Sequence, residues 1–245
     1  MATYTVSSKS ELQSALSSAS GGDTIRLESG SYGDLRITKD FASNVTIVSD
    51  DPQGARFDTI EFSGASNITL DGVRVGGTST AGRYVEVVDG SHHITIKNSE
   101  IGGPSGSYNG FGIYASLSSD LVYENNYIHH VTNGIANFQN SDIVLKGNVV
   151  DHIGHDSYKF GGVDGGLIEN NTGAAHVVAP EGAHNDFMQF QGTPSRDFVI
   201  RGNVVLPAEG GDASHQGIFV NTKGDVANFL VEQNIIIGAL VRGIS

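Results

Sequence analysis

The sequence predicts an all-β protein folded as a parallel β-helix, a solenoid of short strands, with a short capping helix at its N-terminal end. Three observations predict this fold class. One eight-residue block of alternating aliphatic residues recurs, its copies start 22 to 32 residues apart, and a second short strand precedes most copies. Repeats of this length that contain several short strands are typical of solenoids. The prediction covers residues 1–245 as one domain.

The repeated block has the period-two alternation of a half-buried strand, followed by a turn rich in Asn and Gly. Its copies are VTIVSDDP (46–53), ITLDGVRV (68–75), ITIKNSEI (94–101), LVYENNYI (121–128), IVLKGNVV (143–150), GLIENNTG (166–173), FVIRGNVV (198–205) and FLVEQNII (229–236). A β-sandwich does not explain a single repeated register, and the helical spacers of βαβ units are missing. Stacked parallel coils are the fold that this pattern favours.

The sixth position of the block is Asn in its last five copies. These residues are Asn126, Asn148, Asn171, Asn203 and Asn234. Stacked coils bring such amides into one column, where each can donate to its neighbour. We therefore predict an asparagine ladder inside the solenoid.

The first 40 residues differ from the repeat and predict a cap. Ser8 and Glu11 have the spacing of a capping box, and Leu12, Ala15 and Leu16 fall on one helical face. A helix there would cover the open edge and apolar interior of the first coil. The C-terminal RGIS has no such cap and resembles the start of another rung. We expect either a longer protein or a C-terminal end that packs on a further domain or another chain.

The strand before each block predicts which side chains point outward, because strand residues alternate between two sides. The predicted inward column is Ile60, Val85, Ile113, Ile135, Tyr158, Met188, Ile218 and Ile244. The predicted outward column is Glu61, Glu86, Tyr114, Ala136, Lys159, Gln189, Phe219 and Ser245. Because coils stack about 4.8 Å apart, Lys159 and Gln189 become surface neighbours.

Polar residues concentrate on three consecutive coils, in HDSYKFGG (155–162), EGAHNDFMQFQG (181–192) and HQGIFVNT (215–222). The candidate catalytic residues are His155, Asp156, Lys159, His184, Asp186, His215 and Tyr114, which is two coils from Lys159. The candidate substrate-binding residues are Gln189, Gln191, Phe219 and Asn221. The longest loops, 174–184 and 207–215, would wall a cleft beside them. The simpler interpretation is a solvated outer face, and His129 and His130 are interpreted as turn residues.

Composition excludes several classes of protein. The net charge of −13 argues against a nucleic-acid partner, because duplex binding needs clustered Lys and Arg. Without Cys there is no disulfide, thiol nucleophile or thiolate ligand. No apolar run approaches the roughly 20 residues of a membrane span, and the start MATYTVSSKSELQ lacks the regions of a signal peptide. Nucleophile-elbow, P-loop and dinucleotide-binding motifs are also absent.

Metal binding is the main rival chemistry. His184 with Asp186, or His155 with Asp156, could hold Zn²⁺, although neither pair has a helical i, i+4 spacing. An oxygen-only Ca²⁺ site would draw on Asp156, Asp164, Glu181 and Asp186. Ca²⁺ is therefore the one cofactor that the sequence suggests.

The repeat blocks, the asparagine column and the helical cap resemble the right-handed parallel β-helix families that act on polysaccharides. The stretch VSSKSELQSALSSASGGDTIRLESGSY (6–32) resembles the N-terminal coil of alginate lyases and chondroitinase B-like lyases. The His, Asp, Lys and Tyr set resembles the catalytic groove of mannuronan C5-epimerases, whose Asp-Pro-His motif has HDSY and HNDF as its nearest counterparts here. The resemblance implies an extracellular or periplasmic lyase or epimerase for an acidic polysaccharide such as alginate.

The chemistry implied by the resemblance is removal of the C5 proton of a uronate. The anion that develops needs a cation or hydrogen-bond donors beside it, and the reaction needs a base and an acid. On this basis Lys159 and Gln189 would neutralise the carboxylate, and Asp156 or Asp186 would orient a histidine. His155 or His184 would be the base. Tyr114 or His215 would be the acid.

Two other classes of function stay open. A glycoside hydrolase needs two carboxylates about 5–9.5 Å apart, which Glu61 with Glu86, or Asp156 with Asp186, could supply. The second class is a non-catalytic glycan-binding or structural β-helix, such as a tailspike segment or an adhesin. It would present the same outward residues without turnover.

Overall fold

Successive coils of the chain stack into a solenoid in the computed structural model, which describes residues 1–78, 80–174, 185–207, 215–224, 226–237 and 243–244. His215 is described by its backbone alone. In these ranges the secondary structure is one helix, α1, and short strands, of which one precedes the helix and the others follow it. None of the described helical structure is long and apolar enough to cross a membrane.

Helix α1 spans Lys9–Ser18, and the described strands follow in chain order. They are β1 (Thr3–Val6), β2 (Thr24–Leu27), β3 (Gly30–Ile37), β4 (Asp40–Ser49), β5 (Ala55–Ser63), β6 (Ser66–Asp71), β7 (Arg74–Gly76), β8 (Arg83–Val88), β9 (His92–Lys97), β10 (Glu100–Gly102), β11 (Phe111–Ser116), β12 (Ser119–Glu124), β13 (Tyr127–Val131), β14 (Asn133–Phe138), β15 (Ser141–Lys146), β16 (Val149–Ile153), β17 (Tyr158–Gly161), β18 (Asp164–Glu169), β19 (Thr172–Ala174), β20 (Asn185–Gly192), β21 (Arg196–Arg201), β22 (Val204–Val205), β23 (His215–Thr222), β24 (Ala227–Glu232) and β25 (Ile235–Ile236).

The strands form three faces, each a stack of parallel strands from successive coils. The first face is β3, β5, β8, β11, β14, β17, β20 and β23, and the second is β1, β2, β4, β6, β9, β12, β15, β18, β21 and β24. The third is β7, β10, β13, β16, β19, β22 and β25, and it joins the first face at β5. A complete coil thus contributes one strand to each face. The predicted all-β parallel solenoid is confirmed.

The interior is filled by the inward residues of all three faces. On the first face the predicted inward column is in register from Ile60 to Ile244. Its members are buried as far as Ile218, but Ile244 is 60% exposed, so the prediction that it lies inside was wrong. Tyr158 and Met188 are fully buried within the column, as predicted. Close to them the rings of Phe160 and Phe190 stack with centroids 4.7 Å apart. Close packing of this kind is what makes a solenoid coil rigid enough to carry a site.

The asparagine ladder is present and closes the turn after each second-face strand. The side-chain oxygen of Asn148 accepts from the backbone N–H and the side-chain amide of Asn126, each at 3.0 Å. Asn171 accepts from Asn148 in the same way, Asn203 from Asn171, and Asn234 from Asn203. Because these amides are buried, each bond satisfies a group that would otherwise be costly to bury.

A row of alternating charge runs along the outer side of the second face. The residues in register are Asp71, Lys97, Glu124, Lys146, Glu169, Arg201 and Glu232. Within the row Lys97 pairs with Asp71 at 3.3 Å and Arg201 with Glu169 at 2.7 Å. Opposite charges directly across parallel strands favour one register over its alternatives, so this row helps to keep the coils aligned.

Helix α1 forms the predicted cap. Ser8 is the N-cap residue and its side chain accepts from the backbone N–H of Glu11, while the Glu11 carboxylate accepts from the Ser7 N–H at 2.7 Å. Leu12, Ala15 and Leu16 are the buried residues of the helix. They pack on the first strands and so cover the interior at this end. The prediction about the C-terminal end concerns residues that lie partly outside the described ranges.

Candidate active site

The outward residues of the first face form one row along the solenoid axis, which we call the outer row. In register it contains Glu61, Glu86, Tyr114, Ala136, Lys159, Gln189 and Phe219. The predicted register is therefore confirmed for these residues, but Ala136 is fully buried and Gln189 is only 4% exposed, so these two do not lie open on the surface as predicted. Ser245 lies outside the described ranges. Lys159 and Gln189 are paired across neighbouring strands, as the sequence predicted.

A buried carboxylate, Asp156, organises the centre of the outer row. It is fully buried, and its Oδ2 lies 2.8 Å from His155 Nδ1 and 3.0 Å from Lys159 Nζ. Its Oδ1 accepts from the backbone N–H of Asp186 at 3.2 Å. A buried carboxylate is tolerated when it is paired and hydrogen-bonded in this way. One carboxylate thus holds both a histidine and a lysine at fixed positions.

The contact with Asp156 favours the protonated form of His155. Its hydrogen bond to Asp156 raises the pKa of the imidazole above its ordinary value, while partial burial and the Lys159 charge oppose the rise. Because Nδ1 is the atom that faces Asp156, the proton stays on Nδ1 in the neutral form. Nε2 is then the atom that can take a proton from a substrate, as in other carboxylate-oriented histidines.

Asp186 and Gln189 form a second buried pair one coil further along. Asp186 is fully buried and Gln189 is 4% exposed, and Gln189 Nε2 donates to Asp186 Oδ2 at 2.9 Å. Since an ionised carboxylate only accepts hydrogen bonds, this contact sets which way the Gln189 amide points. Gln189 Oε1, like Gln216 Oε1 on the next coil, is buried and has no hydrogen-bond partner among the described residues. The carboxylates of Asp156 and Asp186 are therefore internal supports and not exposed groups of the groove.

Tyr114 belongs to a separate aromatic and cationic group at the other end of the outer row. The guanidinium of Arg83 lies 3.7 Å from the centroid of its ring, and Arg83 also forms an ion pair with Glu86. The ring of Phe138 is 5.8 Å away. Strand β14 separates Tyr114 from Lys159 in the stack. The structure therefore does not join Tyr114 to the His155–Asp156–Lys159 cluster, and the sequence did not identify Arg83 on this face.

Three predicted residues are not described in full. His184, a candidate base, and Glu181, a candidate calcium ligand, lie outside the described ranges. His215 is in register with Asn185 through its backbone. The roles of His184, Glu181 and His215 stay predictions.

The predicted substrate-binding residues all lie on β20 and β23, within the outer row or two positions beyond it along the strand. Phe219 is paired with Gln189 in the outer row itself. Gln191 and Asn221 are paired with each other two residues further along their strands, where they line a cavity of about 570 Å³. Because residues two apart on a strand point to the same side of the sheet, both pairs face the same side, with Gln191 and Asn221 nearer the turn.

The predicted calcium ligands do not form a site among the described residues. Asp164 begins β18 on the second face and lies 3.8 Å from Arg196, because the turn at Gly162 carries the chain to that face. Asp156 and Asp186 are both buried in internal hydrogen bonds. No group of three or more His, Asp or Glu residues that could hold a metal ion occurs in the described ranges. The structure does not bring Asp164 together with Asp156 and Asp186, and the calcium site stays a prediction.

The two carboxylate pairs that could serve a glycoside hydrolase are held in ion pairs or buried. Glu61 and Glu86 are neighbours in register, but Glu61 pairs with Arg36 at 3.2 Å and Glu86 with Arg83. Asp156 and Asp186 are buried. Neither pair presents two open carboxyl groups to a glycosidic bond, as a hydrolase requires.

A second histidine cluster lies on the third face and was not predicted. His129 and His130 belong to β13, not to a turn, so their interpretation as turn residues was wrong. Their Nδ1 atoms are 2.8 Å apart, and His129 Nε2 is 3.2 Å from Glu100 Oε1. The ring of His130 stacks on that of His152 at 4.9 Å. Burial lowers the pKa of both His129 and His130.

The family of the chain is shown by its sequence. The family model described as "Right handed beta helix region" matches residues 58–245. Because the match covers most of the chain, the protein belongs to this family. No curated protein matches the sequence.

Solved structures with the same fold include enzymes and an adhesin. An alginate lyase from Paenibacillus sp. str. FPU-7 is similar over 99% of this chain and 99% of its own, with a TM-score of 0.67 and 19% identity. Pectate lyase Pel9A is similar over 96% of this chain and 79% of its own, with a TM-score of 0.57 and 11% identity. PfbA, a surface adhesin of Streptococcus pneumoniae, is similar over 93% and 74%, with a TM-score of 0.65 and 13% identity. At these identities the similarity shows the fold alone.

Proposed function

We propose that this right-handed β-helix protein is a lyase or C5-epimerase of uronate polysaccharides, with an alginate-like polymer as substrate and an extracellular or periplasmic place of action. The observation that carries the proposal is the His155–Asp156–Lys159 cluster in the outer row. Similar structures are an alginate lyase, a pectate lyase and a surface adhesin, so the fold does not choose between catalysis and binding. The cluster favours catalysis.

The cluster supplies the two groups that removal of a C5 proton needs first. The ammonium of Lys159 stabilises the negative charge that develops on the uronate carboxylate. His155 takes the C5 proton on Nε2 while Asp156 stabilises the resulting imidazolium. In a lyase the electron pair of the C5–H bond forms the C4–C5 double bond, and the C4–O4 bond breaks. In an epimerase the carbanion is reprotonated at C5 from the opposite side.

The leaving oxygen of a lyase, or C5 in an epimerase, then needs a proton donor. His215, His184 and Tyr114 are the proposed candidates for this step. Strand β14 lies between Tyr114 and Lys159. Tyr114 can therefore donate the proton only if the bound substrate extends along the outer row as far as β11. His184 is the alternative base to His155. His155 contacts a fully buried carboxylate at 2.8 Å, whereas His129 and His152 on the third face contact the partly exposed carboxylates of Glu100 and Asp151 at 3.2 and 2.9 Å.

The test is incubation of the protein in deuterated water with mannuronan, polyguluronate, polygalacturonate and chondroitin sulfate, with Ca²⁺ and with a chelator. A lyase forms an unsaturated product that absorbs in the ultraviolet. An epimerase incorporates deuterium at C5 without shortening the chain. Reducing ends without ultraviolet absorption indicate a hydrolase, and no change in any polymer indicates a binding module. Either of the last two results contradicts the proposal.

Variants connect the activity to the cluster. His155→Gln and Lys159→Gln are expected to abolish turnover, and Lys159→Arg is expected to retain part of it because the positive charge stays. Lys146→Gln is the matched control, since Lys146 carries the same charge on the second face. Turnover of His155→Gln and Lys159→Gln at the wild-type rate would show that the reaction occurs elsewhere.

A further inference from the structure

Two adjoining cavities form a groove along the turn that connects the first face to the second. One, of about 570 Å³, is lined by Phe138, Gln191, Asn221 and Lys223 among others. The other, of about 400 Å³, extends toward the N-terminal coils and shares Gln139 and Thr193 with the first. Because the turns of successive coils stack, the groove runs along the solenoid axis beside the outer row. We call it the turn groove.

Among the described residues that line the turn groove, none is acidic. Its lining residues in both cavities are uncharged except Lys223, although the chain has 27 Asp and Glu against 14 Lys and Arg. By contrast, the groove of about 580 Å³ on the outer side of the second face includes Asp120 and Asp142. A polyanion is repelled by the protein as a whole, and a groove without carboxylates is where that repulsion is weakest.

Lys223 is exposed and forms no ion pair with a residue in the described ranges. Most cations on the sides of the solenoid are paired with an acid of their own or a neighbouring coil, as Lys97 is with Asp71 and Lys159 with Asp156. Its backbone N–H donates to Gly192 O at 2.8 Å, which holds it at the end of the groove. Its ammonium group is therefore available to an external anion.

Phe138 gives the same groove an apolar wall. It is half-buried and lies in register with Gly161. A Cβ at Gly161 would come within 3.1 Å of Phe138 Cδ1 and 2.8 Å of Gln191 O, so the glycine leaves the ring uncovered from that side. Carbohydrate and other small-molecule sites combine an apolar wall with a few polar groups that fix orientation. Gln191 and Asn221 supply such groups here.

We propose that the turn groove binds a segment of acidic glycan, with Lys223 holding a uronate carboxylate and Phe138 packing against a sugar ring. The proposal rests on the proposed function in that the glycan is the polymer on which the outer row acts. The proposal gives the two lysines different roles. Lys159 acts in the reaction, and Lys223 holds the glycan on the protein. The proposal also accounts for how a protein of net charge −13 holds a polyanion.

The test is equilibrium binding of oligomannuronate and oligogalacturonate of defined length, together with the same oligosaccharides after reduction of their carboxyl groups. Lys223→Gln is expected to weaken binding of the acidic oligosaccharides about fivefold, the range of one partly exposed ion pair. Phe138→Leu is expected to weaken the acidic and the reduced forms alike. Lys9→Gln, which removes the same charge from the exposed start of α1, is the matched control and should bind as the wild type does.

The outcomes separate this inference from the proposed function. If Lys223→Gln binds the acidic oligosaccharides as tightly as the wild type, or loses affinity equally for the reduced ones, the assignment of Lys223 is wrong even when turnover is present. If no polymer is turned over but binding depends on Lys223, the turn groove stands and the catalytic proposal falls. Absence of binding to any acidic oligosaccharide overturns the inference.

Discussion

The two histidine clusters of the solenoid have pKa shifts of opposite sign. On the first face the pKa of His155 is raised, because Asp156 accepts its hydrogen bond and this outweighs burial. On the third face the pKa of His129 is lowered, because burial outweighs the hydrogen bond to Glu100. His130, which has no such carboxylate contact, is also lowered by burial and by the neighbouring imidazoles of His129 and His152.

The difference shows that the surroundings of the carboxylate decide in which direction the pKa of a neighbouring histidine shifts. His155 is bonded at 2.8 Å to a carboxylate that is itself fully buried, so the attraction is poorly screened by solvent. Glu100 is shared between His129 and Arg74, at 3.2 and 3.0 Å, and Arg74 cancels part of its effect. The two clusters therefore shift the pKa of a histidine in opposite directions, because they differ in the burial of the carboxylate and in the charges beside it.

The largest expected difference between the clusters is in turnover. His155→Gln should lower the rate constant for turnover of the polymer by about 10² to 10⁴-fold, the usual contribution of a general base. His130→Gln should leave it unchanged, because His130 lies on another face. Initial rates with the preferred polymer measure both. Equal losses of turnover in the two variants would mean that both substitutions act by destabilising the protein, and would contradict a catalytic role of His155.

The next effect is on stability. Asp156→Asn leaves the four-fifths buried Lys159 without its carboxylate and should lower the free energy of unfolding by about 3 kcal/mol. It should also lower the pKa of His155. Asp151→Asn on the third face, where Asp151 accepts from Tyr127 Oη at 3.2 Å, should cost about 1 kcal/mol. Urea unfolding and histidine NMR titration measure these changes, and a smaller loss for Asp156→Asn than for Asp151→Asn would contradict the role of Asp156.

The clusters should also give opposite slopes of stability against pH. A histidine whose folded pKa is raised contributes stability below the unfolded value of 6.5 and loses it as the pH rises through the folded pKa. The lowered pKa values of His129 and His130 have the reverse effect, since stability falls as the pH drops below 6.5. Urea midpoints at several pH values should therefore decline less above 6.5 in His155→Gln and less below it in His130→Gln.

The smallest expected change concerns Glu100. Glu100→Gln removes the carboxylate that raises the pKa of His129, so this pKa should fall further while that of His155 stays constant. The NMR titration of both imidazoles in one sample measures the effect. If the pKa of His129 rose instead, the positive charge of Arg74 would not be the main influence on His129 once Glu100 is removed.

The features predicted from the sequence are those that repeat with the coil. The asparagine ladder from Asn126 to Asn234, the inward column and the outer row all follow from the alternation within each strand and from the stacking of equivalent strands. The cap over Leu12, Ala15 and Leu16 follows from a local capping box. The cap depends on residues that are close in sequence. The ladder, the inward column and the outer row depend on one repeated interval, so one register fixes the positions of all three.

The features that the sequence did not reveal depend on turns and side-chain direction. Asp164 is close to Asp156 in sequence, yet the turn at Gly162 places it on another face beside Arg196. Asp156 and Asp186 occupy equivalent positions, as predicted, but their carboxylates are buried as supports. Arg83 reaches the face of Tyr114 from a position that the repeat does not mark.

By itself the sequence determined the solenoid, its register and the coil on which each candidate residue lies, because these depend on a periodic pattern of aliphatic residues and asparagines. Only the tertiary structure decided which side chains meet. Contacts such as His155 with Asp156, or the uncovered ring of Phe138 beside Gly161, depend on the angle of each turn and on what the neighbouring coil leaves open. Neither the angle of a turn nor the space that a neighbouring coil leaves open can be read from a pattern of residue types.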